Sequence, residues 1–302
     1  MGGIKTILIT GATGFLGSHL LQLLIDKDYL PIVYLRPTSD TWRITHLQGR
    51  YQPFIANNAN DLSQLFTGNQ IDAIIHTATE YGRQSKLSAI LNTNVLFPIK
   101  LIEAGLAHGV KMFINTDTFF GKKQFDLKYL GNYTSSKRVL EGFLMSLCTP
   151  QFSIANLRIE HVYGGNDGDQ KFVPAIIKQA LQNQAEIGLT TGLQKRDFVY
   201  VKDVANAYLS ILTAAGLAGY NEFEVGTGQS VTVKEFILKI AQITGTHSVL
   251  NFGSIPTREG EIADSFANIT PLKQLGWKPA YTIEQGLIAT INSEKSITYD
   301  NA

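Results

Sequence analysis

Runs of β-branched residues alternate with apolar positions at helical spacing through the first half of the chain. Ile4–Thr10 reads as a buried strand closed by glycine. Leu16–Asp26 puts Leu20, Leu23 and Leu24 on one side of a helix. Pro31–Leu35, Ile71–Thr77, Val110–Asn115 and Phe152–Arg158 read as further strands. Between them the pattern predicts helices near Leu62–Phe66, over Asn94–His108 with Gly109 as its stop, and over Tyr133–Leu147 before Pro150. Strand and helix in this alternation predict an α/β fold, a doubly wound parallel sheet with right-handed crossovers.

The rhythm loosens after residue 164. Gly164–Gln170 reads as a loop, with helices over Phe172–Gln182, Asp203–Ala214, Val233–Thr244 and Leu272–Trp277. Residues 1–164 are therefore read as one domain. Residues 165–302 are read as a smaller C-terminal α/β substrate domain over the carboxyl ends of the strands, with 198–214 rejoining the first. No repeat or low-complexity segment interrupts either.

The first strand runs into Gly11-Ala-Thr13-Gly14-Phe15-Leu16-Gly17, and a helix begins there. Gly11 permits the tight turn, Gly14 lets backbone approach a pyrophosphate, and Gly17 lets helix pack closely on strand. The helix N-terminus adds N–H donors and a positive dipole end. This arrangement marks a dinucleotide-binding Rossmann domain. At the end of the second strand a carboxylate would hold the ribose hydroxyls of NAD. The chain has Arg36 there, followed by Thr38 and Ser39. A guanidinium suits a 2′-phosphate, so NADP is favoured over NAD; a solvated surface arginine is the plainer alternative.

Tyr133 and Lys137 stand four apart on a predicted helix and share a face. An adjacent ammonium is expected to lower the tyrosine pKa, letting the phenol exchange a proton near neutral pH. The strand ending at Asn115 leads into Thr116-Asp117-Thr118, at the sheet edge where sites collect. The Thr116 hydroxyl is placed to hydrogen-bond a substrate oxygen as charge develops on it.

The glycine turn, Thr116, Tyr133-x-x-x-Lys137 and Arg196–Asp203 together resemble the extended short-chain dehydrogenase/reductase superfamily. Within it the chain is similar to the sugar-nucleotide epimerase/dehydratase family over essentially its whole length. That resemblance implies a Thr116/Tyr133/Lys137 triad, with cofactor contacts at Thr77, Ala78 and Asn94. It implies substrate contacts at Thr79, Asp117 and Thr118, and at Arg196 and Arg258 on a nucleotide diphosphate. Asp117 can equally be a structural carboxylate, and either arginine a surface residue. The helix bearing Phe143, Leu144 and Leu147 would pair across a homodimer, although core packing explains that apolar face equally well.

All branches of the family move a hydride, so the triad does not choose among them. Dehydratases of the family carry a glutamate base where this chain has Thr118, and a threonine hydroxyl is a poor base near neutral pH. Reduction of a 4-keto sugar with NADPH and NAD-dependent 4-epimerisation remain. Arg36 favours the reductase. Phe113–Phe120 and Ser39–Ile44 also resemble 4-ketoreductases of the CDP-abequose synthase type, which make 3,6-dideoxyhexoses for cell-surface polysaccharides such as O-antigen. A non-catalytic, NADP-sensing binding protein is the rival class; retention of Thr116, Tyr133 and Lys137 together argues against it.

Composition narrows the partners. The 302 residues carry a formal net charge of +1, with 44% hydrophobic and 17% charged residues. Nothing here suggests a nucleic-acid face. The single cysteine, Cys148, suits a reducing compartment and reads as a small core residue. The N-terminus reads as a strand rather than a signal peptide, and no stretch is read as reaching membrane-span length, so a cytoplasmic protein without a membrane partner is expected. His19, His76, His108, His161 and His247 lack metal-ligand spacing, so no metal is expected. The loop Gly121–Asn132 is short for the family and is expected to border the sugar pocket; Lys122 and Lys123 within it could attract an anionic substrate but read more simply as a solvated pair.

Overall fold

The computed structural model describes residues 4–57, 61–82, 85–125 and 130–300. The first half winds as β1 (Thr6–Thr10), α1 (Phe15–Asp26), β2 (Leu30–Leu35), β3 (Gln52–Ile55), α2 (Asp61–Gly68) and β4 (Ala73–His76). There follow α3 (Leu87–Leu91), a π-turn at Asn92–Leu96, α4 (Phe97–Ala107), β5 (Met112–Thr118), α5 (Gly131–Leu147) and β6 (Ser153–Ile159). Their strands form a parallel sheet whose order is completed by an edge strand from the second half, β11-β6-β5-β4-β1-β2-β3. This is the doubly wound Rossmann sheet, and the strand order reverses between β1 and β4.

The second half continues with β7 (His161–Tyr163), α6 (Phe172–Leu181), β8 (Glu186–Leu189), β9 (Lys195–Arg196), β10 (Phe198–Tyr200) and α7 (Val201–Thr213). It closes with β11 (Tyr220–Val225), β12 (Val231–Thr232), α8 (Val233–Thr244), β13 (Val249–Phe252), β14 (Asp264–Ser265), α9 (Thr270–Gln274) and α10 (Ile283–Asp300). Helix α7 packs against α1, and its Val204, Tyr208 and Ile211 join the core beneath the sheet. A separate core gathers Tyr163, Ile177, Phe198, Phe236 and Leu287, with Phe198 stacked on Phe236.

Several expectations shift. The hydrophobic pattern misses β11, whose Tyr-Asn-Glu-Phe-Glu-Val carries too few apolar residues, yet β11 pairs along the length of β6. It also misses β3, a strand whose side chains are mostly exposed. Strand β5 runs three residues past Asn115, so Thr116, Asp117 and Thr118 lie inside it. The helical stretch Leu87–Ala107 has the length and apolarity of a membrane span, against the expectation of none. Its Ile90, Leu101 and Ile102 are fully buried, and the latter two pack on the face of the sheet opposite α1 and α7. Leu144 is core while Phe143 is 48% exposed, so the two do not share a face.

Candidate active site

At the reversal of strand order the loops after β1 and β4 touch. Gly11 has φ +74°, and a Cβ there would lie 2.5 Å from the Ala78 amide nitrogen. At Gly17 a Cβ would meet the Gly11 carbonyl, so helix and turn require both glycines. Gly14 caps α1 without a side-chain bond, leaving first-turn N–H groups to an external acceptor. Thr13, Gly14, Phe15, Leu16 and Gly17 line a cavity of about 1130 Å³. The cradle fits a pyrophosphate.

Arg36, Ser39, Thr77, Ala78 and Thr79 line the same cavity, with Arg36 exposed at its edge. The Ser39 hydroxyl accepts from the Arg36 backbone N–H. Thr38 is exposed and outside the lining. Asn94 is fully buried behind the wall rather than in it. Its amide joins the Glu80 backbone, the Thr79 hydroxyl and Ser136 of α5, and so holds the β4 loop against the helix that carries Tyr133.

Tyr133 and Lys137 are both buried and both line the cavity. Lys137 donates to the Thr116 carbonyl at 2.7 Å, and its Nζ stands 6.0 Å from the Tyr133 ring centroid. Burial lowers the Lys137 pKa to about 8, opposed by the Asp117 charge. The phenol departs from expectation. Burial, with Tyr81 and Asp117 nearby, pushes Tyr133 well above its ordinary value of 10. Desolvation is the largest cause, and it favours the O–H form of the phenol.

Thr116 donates its hydroxyl proton to the His76 carbonyl at 2.8 Å and meets the Tyr208 hydroxyl at 2.6 Å. Asp117 faces the neighbouring strand: it accepts from Asn156 at 3.0 Å and Arg158 at 3.3 Å, and Arg158 also pairs with Glu141 and Glu222. Thr118 is buried in the cavity wall, and its hydroxyl and that of Thr79 hydrogen-bond with the Tyr133 phenol.

Arg196 and Arg258 reach the cavity from the second half. Arg196 is buried, paired with Glu261 and bound to the Lys195 and Ile262 carbonyls. Arg258 is exposed. The Lys122 and Lys123 expectation needs correction. Lys123 is exposed, but Lys122 is buried between Glu160 and Glu224. Of the loop Gly121–Asn132, residues 126–129 lie outside the described residues; Leu130 lines the cavity.

The sequence pattern missed Tyr81, Arg43 and Lys171. The Tyr81 ring centroid lies 5.0 Å from that of Tyr133, and the Lys171 ammonium stands 4.0 Å from the Tyr81 centroid. Arg43 bridges the glycine turn at Thr13 to Asn166 across the cleft. These are long-range partners with no local spacing; only the aromatic character of Tyr81 and Trp42 beside chargeable residues signalled them. Among the described residues no group of three His, Cys, Asp or Glu could hold a metal ion.

Comparison with known proteins bears on this geometry. The NAD dependent epimerase/dehydratase family matches residues 7–226. CDP-abequose synthase of Salmonella muenchen is 39% identical over 287 residues, covering 94% of this chain and 96% of the relative. CDP-abequose synthase of Salmonella typhimurium is 36% identical, covering 93% and 95%. Among solved structures, UDP-glucose 4-epimerase of Thermotoga maritima superposes with a TM-score of 0.83 at 23% identity, covering 97% of this chain and 100% of that one. That last likeness speaks for the fold.

Proposed function

The chain belongs to the NAD dependent epimerase/dehydratase family, and from that premise we propose that it reduces the 4-keto group of a nucleotide-activated 6-deoxy or 3,6-dideoxy sugar with NADPH, in the manner of CDP-abequose synthase. The observation that carries the reading is a single cavity that brings the buried Tyr133 phenol and Lys137 together with the glycine cradle and Arg36. A phenol held in its O–H form is the proton donor that reduction needs.

The dinucleotide, when bound, supplies hydride to carbon 4. Gly11, Gly14 and Gly17 hold its pyrophosphate, and Arg36 with Ser39 takes the 2′-phosphate. Tyr133 gives its proton to the new C4 oxygen. Lys137, charged below about pH 8, binds the nicotinamide ribose, anchored by the Thr116 carbonyl. The Thr77–Thr79 segment and Asn94 set the cofactor wall; Asp117 fixes the strand that presents Thr116 and Thr118. Arg196 and Arg258 take the nucleotide diphosphate, an anion that would draw Arg196 from Glu261. Residues 165–302 supply this sugar-nucleotide side, and 198–214 serve the cofactor side.

We place the protein in the cytoplasm, in synthesis of cell-surface polysaccharide sugars such as O-antigen. It acts as a homodimer paired through α5, which exposes Val139 and Phe143 one helical turn apart. The test is NADPH oxidation with a panel of 4-keto-6-deoxy and 4-keto-3,6-dideoxy sugar nucleotides. Turnover of a keto sugar with net consumption of NADPH supports the reading. Interconversion of C4 epimers with no net cofactor consumption would establish NAD-dependent 4-epimerisation instead, and binding of NADP without turnover a sensor.

A further inference from the structure

We propose that Tyr81 is a positioning residue for the Tyr133 phenol, and that Lys171 reaches from the second half of the chain to hold it in place. The inference rests on the ketoreductase reading above for its kinetic consequence, while its geometry stands apart from that reading. Tyr81, Tyr133 and Lys171 line one cavity. They come from three separate segments: the loop after β4, the first turn of α5 and the residue before α6. The Tyr81 and Tyr133 ring centroids are 5.0 Å apart with their planes at 31°, and the Lys171 ammonium stands 4.0 Å from the Tyr81 centroid. Both separations fall in the range of attractive aromatic and cation–π contacts.

The backbone on either side of Tyr81 is fixed. The Glu80 N–H donates to the Asn94 side-chain oxygen at 2.8 Å, and the Asn94 amide donates back to the Glu80 carbonyl at 2.9 Å. The Glu80 carboxylate accepts from the Gly82 N–H at 2.9 Å. Asn94 also donates to the Ser136 hydroxyl, which donates to the Tyr133 carbonyl. One asparagine thus sets the starting points of both rings, on the β4 loop and on α5. The directions of the rings need more. Tyr81 is 43% exposed, and a side chain so open has other rotamers to visit. The Lys171 ammonium favours the rotamer that lies against Tyr133. Tyr81 in turn fills the space into which the Tyr133 ring would otherwise swing. Proton delivery depends on that restraint, because the phenolic oxygen must stand within hydrogen-bond reach of the C4 oxygen. The second half of the chain therefore takes part in aiming the phenol, beyond its part on the sugar-nucleotide side.

Two measurements decide the matter. The first is steady-state kinetics of wild type, Tyr81→Ala, Tyr81→Phe, Lys171→Met and the double variant Tyr81→Ala with Lys171→Met, using NADPH and the 4-keto sugar nucleotide that wild type turns over best. Tyr81→Ala lowers kcat about 10-fold with KM changed less than about threefold, and Tyr81→Phe recovers most of the loss. Lys171→Met lowers kcat about threefold, and costs nothing further in kcat once residue 81 is alanine. The assignment is overturned if Tyr81→Ala keeps kcat within about twofold of wild type, if its loss falls on KM alone, or if the two kcat losses multiply in the double variant. The second uses protein labelled with ¹³C in the tyrosine rings, with the Tyr133 signal identified by Tyr133→Phe. An aromatic neighbour shifts that signal through its ring current, so the signal moves in Tyr81→Ala and in Lys171→Met and stays near its wild-type place in Tyr81→Phe. No movement in Tyr81→Ala overturns the packing, and movement there without movement in Lys171→Met overturns the hold by Lys171. Should wild type reduce no keto sugar, the ketoreductase reading fails, while the Tyr133 signal still decides whether Tyr81 and Lys171 set the ring.

Discussion

Replacing Lys122 by methionine keeps most of the aliphatic stem and deletes a buried charge. The Lys122 side chain is 3% exposed, with its ammonium 2.6 Å from Glu160, 3.0 Å from Glu224 and 2.7 Å from the Phe266 carbonyl. Glu160 is equally buried and would be left with the Ser265 hydroxyl. Burial already raises the Glu160 carboxyl from 4.5 to about 7, against the pull of Lys122; without the ammonium it rises further.

The sign follows by proton linkage. Below about pH 4.5, Glu160 is neutral whether folded or unfolded, in wild type and variant alike. Between about 4.5 and 7 the folded carboxyl is protonated and the unfolded one ionised. Both proteins then lose stability with rising pH at about 1.4 kcal/mol per unit, so their difference is constant. Above about 7 wild type ionises in place and stops losing stability on this account. The variant goes on losing until its own, higher pKa is reached. The gap between the two should therefore be about 2 kcal/mol wider at pH 8.5 than at pH 6. It should reach about 3–5 kcal/mol on the alkaline side, the range for breaking a buried pair from one end. Urea unfolding midpoints of both proteins at the two pH values measure it. Equal gaps at the two pH values would refute the reasoning. Lys122→Met with Glu160→Gln should recover much of the alkaline loss.

Other outcomes follow from the same geometry. Tyr133→Phe should lower kcat about 10³-fold with NADPH binding retained, as read by fluorescence titration. Arg36→Asp should reduce the preference for NADPH over NADH by about 10–100-fold, judged from the two kcat/KM values; unchanged selectivity defeats the 2′-phosphate assignment. Lys137 is charged below about pH 8, so kcat should fall above that pH. Asp117→Asn, which removes a charge that supports the ammonium, should move this limb lower. Phe143→Glu on the exposed face of α5 should convert a dimer into a monomer in light scattering, if α5 is the pairing surface.

Local chemistry made much of this molecule legible. Gly11 must adopt positive φ and Gly17 must admit a carbonyl at contact distance, requirements that the spacing of three glycines announces. Tyr133 and Lys137 declare themselves by a four-residue interval on one helix. Partnerships set by the sheet were not legible in this way. Asp117 meets Arg158 because β5 and β6 align residue 117 with 158, and no local pattern encodes that register. Lys122 reads as solvated because its neighbour is Lys123, yet Glu160, just past the end of β6, and Glu224 of β11 reach it from 38 and 102 positions away. Strand β11 escaped because its polar residues face partners on β6: Glu222 meets Arg158 there.

Electrostatics of the site set the resting form of its two titrating groups. Desolvation raises the Tyr133 phenol and lowers the Lys137 ammonium, favouring the uncharged form of each. An epimerase must run its oxidation and its reduction in one pocket, and oxidation begins with the phenol acting as base. Each pH unit by which the phenol lies above the medium adds about 1.4 kcal/mol to the cost of reaching that phenolate. Reduction starts from the O–H form, but it too leaves a buried phenolate once the proton has passed to the C4 oxygen, so the cost falls on both directions. Asp117 deepens the bias, because its buried negative charge opposes phenolate while supporting the ammonium. It is held there by Arg158 and Asn156 rather than by substrate. The pocket therefore holds the phenol in its O–H form at rest, and the choice between net reduction and a return through the ketone falls to the cofactor and the substrate rather than to the phenol.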